Sequence, residues 1–492
     1  MKKKTIAAFL VLVFASHDVW AFCGFYVSKA DGTLTNKTSQ VILVRDGDRT
    51  VITMSNDFKG DVTDFAMVVP VPTVLKKSDI KVVEADLFQR LNDYSKPRLV
   101  EYYDQNPCQQ MEYSKMDKAS ASEVIVQGYG LRNKANRDEE EYKVKVEATY
   151  TVGEYDIVIL SAEESGGLYK WLTANKYKIP KGAAEVLEPY IKSNMKFFVV
   201  KVNVEEQENL GFEQLRPIQI KFNSPKFMLP IRLGMANADG DQDMIVYALT
   251  RNGRVESTNY RTTQMPTGKN IPLFVNTNFG NFYANTFQHQ WLQQNQSILF
   301  LEYAWDVSPS NYMKCDPCVS EPPNYDDLLK AGVWWLGKDA YNDYVNQYET
   351  KSQNVFFTRL HVRYNRKAFA QDLVFQETPN RENYQARYII THPATGDLNC
   401  EAGKKYLKEL KERRKKEMDM LAALTGKGYD DWDVVMDTDE AANVAAASYA
   451  TVSREVKAEA PKKEAGKDIF MASLALLSMV TMIGVTRRRK EK

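Results

Sequence analysis

The sequence predicts an α+β fold dominated by β-structure, with sandwich-like antiparallel sheets, helical insertions and one C-terminal transmembrane helix. Two observations favour the sheets: short β-branched or alternating apolar runs recur at 40–54, 142–160 and 217–393, and turn residues bound them. A third observation, an uncharged stretch at 469–486, predicts the membrane helix.

The N-terminus predicts a secretory signal peptide at residues 1–21. Lys2 to Lys4 precede an apolar run, and Val19-Trp20-Ala21 offers small residues at the last and third-last positions before cleavage. We therefore expect the body of the protein to be exported.

The C-terminus predicts a membrane anchor. At about 1.5 Å per residue, a helix over 469–486 is roughly 27 Å long, close to the thickness of a hydrocarbon core of about 30 Å. The basic residues at 487–492 favour a cytoplasmic tail. Alternatively, this end is a sorting signal that a protease removes. Either way, the ectodomain is expected in the periplasm or at the cell surface.

The first strands are predicted from turn chemistry. Asp46-Gly47 interrupts two apolar runs at 40–54 and is typical of a tight hairpin. Pro70 and Pro72 cannot donate ladder hydrogen bonds, so they suit a sheet edge or a strand end. Residues 67–71 weakly echo 227–231, too briefly to count as a repeat.

Helical spacing predicts an insertion at 162–196, shorter helices at 287–295 and 325–335, and an amphipathic helix at 401–427. From Cys23 to about Ala121 the pattern is strand-like. The predicted divisions are a signal peptide (1–21), an N-terminal β-rich domain with a helical insertion (22–216), a second β-rich domain (217–400), the amphipathic helix (401–427), a flexible linker (428–468), the transmembrane or sorting helix (469–486) and a basic tail (487–492).

Composition argues against a nucleic-acid partner. The chain carries 65 Lys and Arg against 64 Asp and Glu, so it lacks the general positive field that nucleic acid requires. The sequence has no P-loop, nucleophile elbow or zinc-protease helix. His289, His361 and His392 lie in unlike contexts, which favours surface or core roles. A binding or structural role is favoured over catalysis.

The five cysteines, Cys23, Cys108, Cys315, Cys318 and Cys400, all lie in the predicted exported body. An oxidising envelope makes disulfides their expected state. The pair in "CDPC", Cys315 and Cys318, is the redox candidate, but a redox thiol favours a helix N-terminus, and the prolines that follow delay the next helix to about Asn324. Structural disulfides are therefore favoured, with the pairing left open.

"NADGDQDM" places Asp239, Asp241 and Asp243 at alternate positions, like the start of a calcium loop. A glycine at the sixth position and a closing glutamate are both missing. A polar hairpin tip is therefore favoured. Calcium remains the alternative, and no other cofactor is predicted.

Two aromatic stretches, 279–287 and 332–337, are candidates for a sugar-binding platform. Aromatic residues more often build β-rich cores. The possible partners are thus an envelope protein or a polysaccharide, in addition to the membrane.

Several long blocks together resemble a known family. These are "LTNKTSQVILVRDGDRTVITMSNDFKGDVTDFAMVVPVP", "KPRLVEYYDQNPC", "KFNSPKFMLPIRLGMANADGDQDMIVYALTRNGRVESTNYR", "FLEYAWDV", "CDPC" and "FFTRLHVRYNRKAFAQDLVFQET". They are similar to the bacterial domain of unknown function 2330, over roughly Cys23 to Leu424. The resemblance implies secretory signals and C-terminal membrane or sorting segments, and it places the five cysteines at family positions. The segment between Asp306 and Cys315 is longer than the resemblance implies.

Together these observations predict a membrane-tethered bacterial envelope protein with a disulfide-stabilised ectodomain that binds a ligand or has a structural role. The alternatives are an envelope thiol-disulfide oxidoreductase that uses Cys315 and Cys318, and a hydrolase with paired carboxylates in a cleft.

Overall fold

The computed structural model describes residues 25–26, 39–55, 66–109, 144–175, 177, 183–210, 215–236, 240–311, 313–337, 353–428 and 432. The predicted signal peptide, most of the predicted linker, the predicted transmembrane segment and Cys23 lie outside this range. Within it, no helix is both long enough and apolar enough to cross a membrane.

The strands are β1 (Phe25–Tyr26), β2 (Ser39–Asp46), β3 (Arg49–Met54), β4 (Ala66–Val71), β5 (Ile80–Val82), β6 (Arg98–Tyr103), β7 (Val144–Val152), β8 (Tyr155–Ala162), β9 (Lys196–Val202), β10 (Ile218–Asn223), β11 (Met228–Leu229), β12 (Gln242–Thr250), β13 (Val255–Ser257), β14 (Arg261–Gln264), β15 (Lys269–Asn270), β16 (Ile298–Asp306), β17 (Phe356–Tyr364), β18 (Leu373–Glu377), β19 (Tyr384–Gln385) and β20 (Arg387–His392). The helices are α1 (Asp86–Ser95), α2 (Ser165–Ala174), α3 (Ala183–Lys192), α4 (Val204–Leu210), α5 (Val275–Gln293), α6 (Tyr325–Ala331) and α7 (Glu401–Thr425).

The described strands form four sheets. The largest has the order β14-β16-β17-β12-β2-β3-β10-β5, with β19 paired to β16. A second sheet has the order β1-β4-β9-β8-β7, and two three-stranded sheets are β11-β18-β13 and β15-β20-β6. The fold is thus mixed α+β and dominated by β-structure, as the sequence predicts.

The two larger sheets share one apolar core. Alternate residues of β12 (Met244, Val246) and of β9 (Phe198, Val200) belong to the same buried cluster. Because side chains alternate along a strand, the intervening residues point to the opposite face of each sheet. The two sheets therefore pack face to face through this cluster.

Helices cover the opposite faces of these sheets. On the large sheet, α1 and α6 contribute Leu91 and Leu328 to a second buried cluster. On the five-stranded sheet, α2 and α3 contribute Leu172 and Leu187 to a third. Strands buried on both faces explain the nearly continuous apolar runs of β2, β9 and β12.

The chain divides into two compact units. The first comprises residues 1–102, 114–392 and 415–433, and it contains the clusters described above and the sheets, apart from Tyr103 at the end of β6. The second comprises residues 103–113, 393–414 and 434–492. In its described part, the Cys108–Cys400 disulfide joins residues 292 positions apart, and Arg413 donates to Asp104 over 2.5 Å.

Several predicted elements are confirmed. β2 and β3 form an antiparallel hairpin around Gly47, whose φ of 56° matches the expected turn. Pro70 is the second-last residue of β4, a strand end as predicted. Helices lie in the predicted insertion and within 275–293, 325–331 and 401–425.

Two expectations are corrected. The strand-like interpretation of the first hundred residues is wrong at 86–95, where Leu87, Leu91 and Tyr94 lie at helical spacing and pack against the large sheet. The sheets are also not purely antiparallel, since β2–β12, β14–β16 and β15–β20 are parallel pairs. Parallel partners are far apart in sequence, so local turn chemistry cannot reveal them.

Strand pairs also cross the predicted domain boundary at 216/217. β10 pairs with β3 over six residues, and β12 pairs with β2 over seven. The large sheet of the first unit therefore draws on both of the predicted β-rich segments.

Candidate functional site

The two thiols of "CDPC" are joined to each other. Cys315 and Cys318 form a disulfide with Cα atoms 5.2 Å apart. The next helix, α6, begins at Tyr325, and the side chain of Asn324 caps it by accepting from the backbone N–H of Asp327. Cys315 therefore lacks the helix-terminal position that the redox interpretation required.

Side chains of β6, β16 and α1 donate hydrogen bonds to the carbonyl groups of this loop. Tyr303 donates to the Lys314 carbonyl over 2.7 Å, and Tyr94 donates to the same oxygen. Arg98, which is 3% exposed, donates to the Pro317 carbonyl over 2.6 Å. Because buried donors satisfy the loop, the disulfide has the surroundings of a structural staple.

The aspartates of the predicted calcium loop have protein partners. Asp243 lies on β12 and accepts two hydrogen bonds from Arg363, at 2.8 and 2.6 Å. Asp241 accepts from Asn365 over 2.6 Å, and Asp239 lies outside the described residues. In the part of the chain that the structure describes, no cluster of three or more His, Cys, Asp or Glu side chains could hold a metal ion.

The aromatic stretches contribute mainly to packing. Phe282 and Phe287 are buried at 0% and 2% exposure, and Trp335 is 9% exposed. Trp335 donates its indole N–H to the Asn354 carbonyl. Phe282, Phe287 and Trp335 thus lie in cores, whereas Phe279, Tyr283 and Trp334 are half-buried.

A buried network of alternating charges lies on the large sheet. The Glu302 carboxylate, fully buried on β16, accepts from Arg359 Nε over 2.5 Å and lies 2.8 Å from His361 Nδ1. The other ring nitrogen, Nε2, lies 3.7 Å from Asp243, which pairs with Arg363. Positive and negative groups therefore alternate across three neighbouring strands.

The protonation states in this network follow from its geometry. Burial opposes ionisation of Glu302, but His361 and Arg359 outweigh it and lower the pKa of Glu302 to about 2. Burial likewise disfavours the imidazolium, yet the carboxylates of Glu302 and Asp243 raise the pKa of His361 above its usual value. The Phe287 ring stacks on His361 with centroids 3.9 Å apart and closes the network.

A cleft of about 480 Å³ lies elsewhere in the same unit. It is formed by residues of β3, β4 and α3, by Ser193 and Met195 just after α3, by the segment 222–232, and by residues 371–374. Five prolines line it, Pro70, Pro72, Pro189, Pro225 and Pro230. Its volume falls within the usual range for small-molecule sites, about 300–1,000 Å³.

Asp372 is the carboxylate in this cleft. Its Oδ1 atom accepts from the Tyr190 hydroxyl over 2.7 Å and from the backbone N–H groups of Ile231 and Arg232 over 3.0 and 3.1 Å. Burial raises the pKa of Asp372 despite these hydrogen bonds. Burial and the neighbouring Asp372 also raise the pKa of Tyr190 well above its usual value.

Two cations line the same cleft. Lys226 is exposed and Arg232 is half-buried. Neither side chain makes a hydrogen bond or an ion pair with any residue that the structure describes, although Arg232 lies near enough to attract Asp372 electrostatically. The cleft thus combines an apolar wall with a surplus of positive charge.

Sequence reasoning missed Asp372, Lys226 and Arg232. The weak echo between 67–71 and 227–231 was a signal, since its prolines, Pro70 and Pro230, both line the cleft. The residues that the sequence did single out, the "CDPC" cysteines and the aspartates of 239–243, do not line it.

The fold and the cleft define a β-dominated α+β protein with two disulfides among the described residues and a small-molecule-sized cleft. A family model described as an uncharacterized protein conserved in bacteria, domain of unknown function 2330, matches residues 18–376. The chain belongs to this bacterial family. The match includes every residue that lines the cleft and ends before Cys400, short of the predicted extent of the resemblance. No curated protein and no solved structure matches the chain.

Proposed function

We propose that this protein is an exported, membrane-tethered bacterial envelope protein whose ectodomain binds a ligand in the cleft around Asp372. The observation that carries the proposal is the cleft itself. It has the volume of a ligand site, a largely apolar lining and a few convergent polar groups, which is the usual composition of binding pockets.

The disulfides support export. Cys108–Cys400 and Cys315–Cys318 suit an oxidising compartment, since cytosolic thiols are normally kept reduced. The signal-like residues 1–21 and the apolar residues 469–486 agree with this placement.

Binding is favoured over the two enzymatic alternatives. Asp372 is the one carboxylate among the described residues that line the cleft, whereas the hydrolase alternative required a pair. The oxidoreductase alternative required an activated thiol, but Cys315 lies in a loop whose carbonyl groups are held by buried donors.

Ligand binding is tested with thermal unfolding of the full chain in the presence of fractionated envelope extract. A fraction that contains the ligand should raise the melting temperature by mass action. Ser193→Trp, at an exposed residue lining the cleft, should abolish that rise because the indole fills the site. The matched control Gln293→Trp, on the exposed surface of α5, should preserve it. An equal rise in both variants, or none with any fraction, contradicts the proposal.

The tether is tested by deleting residues 469–492. The truncated protein should appear in the soluble envelope fraction, whereas the parent stays with membranes. A truncated protein that remains membrane-bound would remove the tether from the proposal.

The structural role of the Cys315–Cys318 disulfide is tested by alkylating free thiols before and after mild reduction. The labelled peptides are then mapped by mass spectrometry. We expect Cys315 and Cys318 to be protected until strong reduction. Labelling of Cys315 in the untreated protein would instead support the oxidoreductase alternative.

A further inference from the structure

We propose that the ligand of the cleft is an amphiphilic carboxylate, a small molecule with a hydrocarbon body and a single carboxylate end. This inference rests on the proposed function and specifies the chemistry that the site would recognise.

The lining favours a hydrocarbon body over a peptide. Its five prolines have no backbone N–H to offer a ligand. The neighbouring N–H groups are already used: that of Ser224 donates to the Asp48 carbonyl over 2.8 Å, and that of Val374 donates to Asn259 over 3.1 Å. An extended peptide would leave its own carbonyl groups unpaired against this wall, which costs free energy, whereas a hydrocarbon chain has none.

The backbone donors nearest the charged end are also occupied. The N–H groups of Ile231 and Arg232 both donate to Asp372, so they do not form an anion-binding nest for a ligand. Besides Asp372, the charged side chains of the lining are Lys226 and Arg232, with Ser193 and Gln371 as neutral polar groups. Recognition of a charged end therefore falls to Lys226 and Arg232.

These two cations favour an anionic end. Their side chains have no hydrogen-bond acceptor among the described residues, and the lining they share contains a single carboxylate, Asp372. A guanidinium presents a planar fork that matches a carboxylate with two parallel hydrogen bonds. The charge of the site is thus complementary to one added negative charge.

The number of charges on the ligand follows from Asp372. When ionised, its carboxylate offsets one of the two cations, so only a small net positive charge is left to attract an anion. That attraction grows in proportion to the charge of the anion, whereas the cost of removing the anion from water grows with the square of its charge. A phosphate monoester carries nearly two negative charges at neutral pH, whereas a carboxylate carries one. The cleft therefore favours the carboxylate.

The test is isothermal titration of the full chain in lipid nanodiscs with octanoate, with empty nanodiscs as the blank. Octanoate should bind, and octan-1-ol and octyl phosphate should bind at least about tenfold more weakly. Arg232→Gln should weaken octanoate binding about tenfold or more, because a charge-assisted hydrogen bond is lost. Lys226→Gln should weaken it less, because Lys226 is exposed.

The matched control is Lys81→Gln, which removes an exposed lysine outside the cleft and should leave binding unchanged. Tighter binding of octan-1-ol or octyl phosphate overturns the inference, as does unchanged octanoate binding by both cleft variants. If octanoate does not bind, but an envelope fraction still stabilises the parent and not Ser193→Trp, the ligand class is wrong and the proposed function stands. If octanoate does not bind and no envelope fraction stabilises the parent, the proposed function is wrong as well.

Discussion

Two carboxylates in the first unit, the buried Glu302 and the half-buried Asp372, differ in what surrounds them. Glu302 faces a guanidinium, an imidazole and the hydroxyl of Tyr283, which donates to it over 2.5 Å. Asp372 faces one hydroxyl and two backbone N–H groups, and no side-chain cation pairs with it directly. The pKa of Glu302 is accordingly lowered to about 2, whereas that of Asp372 is raised.

This difference distinguishes a structural network from a binding site. A buried charge whose hydrogen-bonding positions are all filled by protein groups holds strands together and has no position left for a ligand. A carboxylate at the wall of an open cleft, with unpaired cations nearby, leaves charge available for one. The comparison therefore supports the proposed binding site at Asp372, although Glu302 has the more elaborate network.

The largest expected effect is that of Glu302→Gln. The substitution leaves Arg359 and His361 buried without their shared counter-charge, and breaking such a network costs about 3–5 kcal/mol. Urea unfolding at pH 7 should show this loss, and the exposed control Glu382→Gln should show almost none. A loss below about 1 kcal/mol would mean that the network is not structural.

The dependence of the unfolding free energy on pH in the acid range should also differ between the parent and Glu302→Gln. The pKa of Glu302 is lower in the folded protein than its usual 4.5, so its contribution is present above about pH 4.5 and is lost as the pH falls toward about 2. The difference in stability between parent and variant should therefore shrink across that window. A constant difference would contradict the lowered pKa.

A smaller effect is expected from His361→Gln, about 2 kcal/mol at pH 6, because the imidazolium lies between the carboxylates of Glu302 and Asp243. The other charged groups of the network are Arg359 and Arg363, on its own strand. Since the pKa of His361 is raised, its stabilisation is complete below about pH 6.5 and is lost as the pH rises through the raised value. Unfolding curves of parent and variant should converge toward alkaline pH; parallel curves would refute this assignment.

The sequence predicted the strands better than it predicted either carboxylate. Alternation and the Asp46-Gly47 turn are local signals, and the hairpin they indicate is present. Glu302 also carried a local signal, as a lone acid in an apolar run. The partners of Glu302 could not be predicted from the sequence. The register between β16 and β17 shifts between Leu301 and Tyr303, and such a bulge changes the direction of a side chain in a way that residue spacing does not reveal.

The cleft was harder to predict for a related reason. Its lining comes from five separate stretches of the chain between residues 52 and 374, and it forms only when three sheets and a helix end meet. Motif spacing detects chemistry within one segment, so it pointed to Cys315–Cys318 and to 239–243 instead. Asp372 directly precedes β18 in a stretch without a recognisable motif, and only the tertiary structure places it beside Tyr190, Ile231 and Arg232.

A matched pair of hydroxyl deletions compares the two carboxylates directly. Tyr283→Phe removes a donor to the charged Glu302 and should cost about 2 kcal/mol, whereas Tyr190→Phe removes a donor to Asp372 and should cost about 1 kcal/mol. Urea unfolding of both variants at pH 7 gives the two values. A larger loss for Tyr190→Phe would place the stronger charge interaction at the cleft and reverse the comparison.

The smallest expected effect is that of Asp372→Asn, the same change from carboxylate to amide that is so costly at Glu302. The amide oxygen still accepts from Ile231, Arg232 and Tyr190, and no cation loses a direct partner. Because the pKa of Asp372 is raised, the parent loses stability as the pH rises through that value, and the variant does not.

At pH 7 the variant should therefore lie within about 1 kcal/mol of the parent, and its relative stability should improve from pH 4 to pH 7. Asp372→Ala is the control that removes the acceptor altogether, and it should cost about 1–3 kcal/mol because two partly buried N–H groups lose their partner. If Asp372→Asn were as destabilising as Glu302→Gln, Asp372 would be part of a closed structural network. The cleft would then lose the feature that distinguishes it from the network on the large sheet.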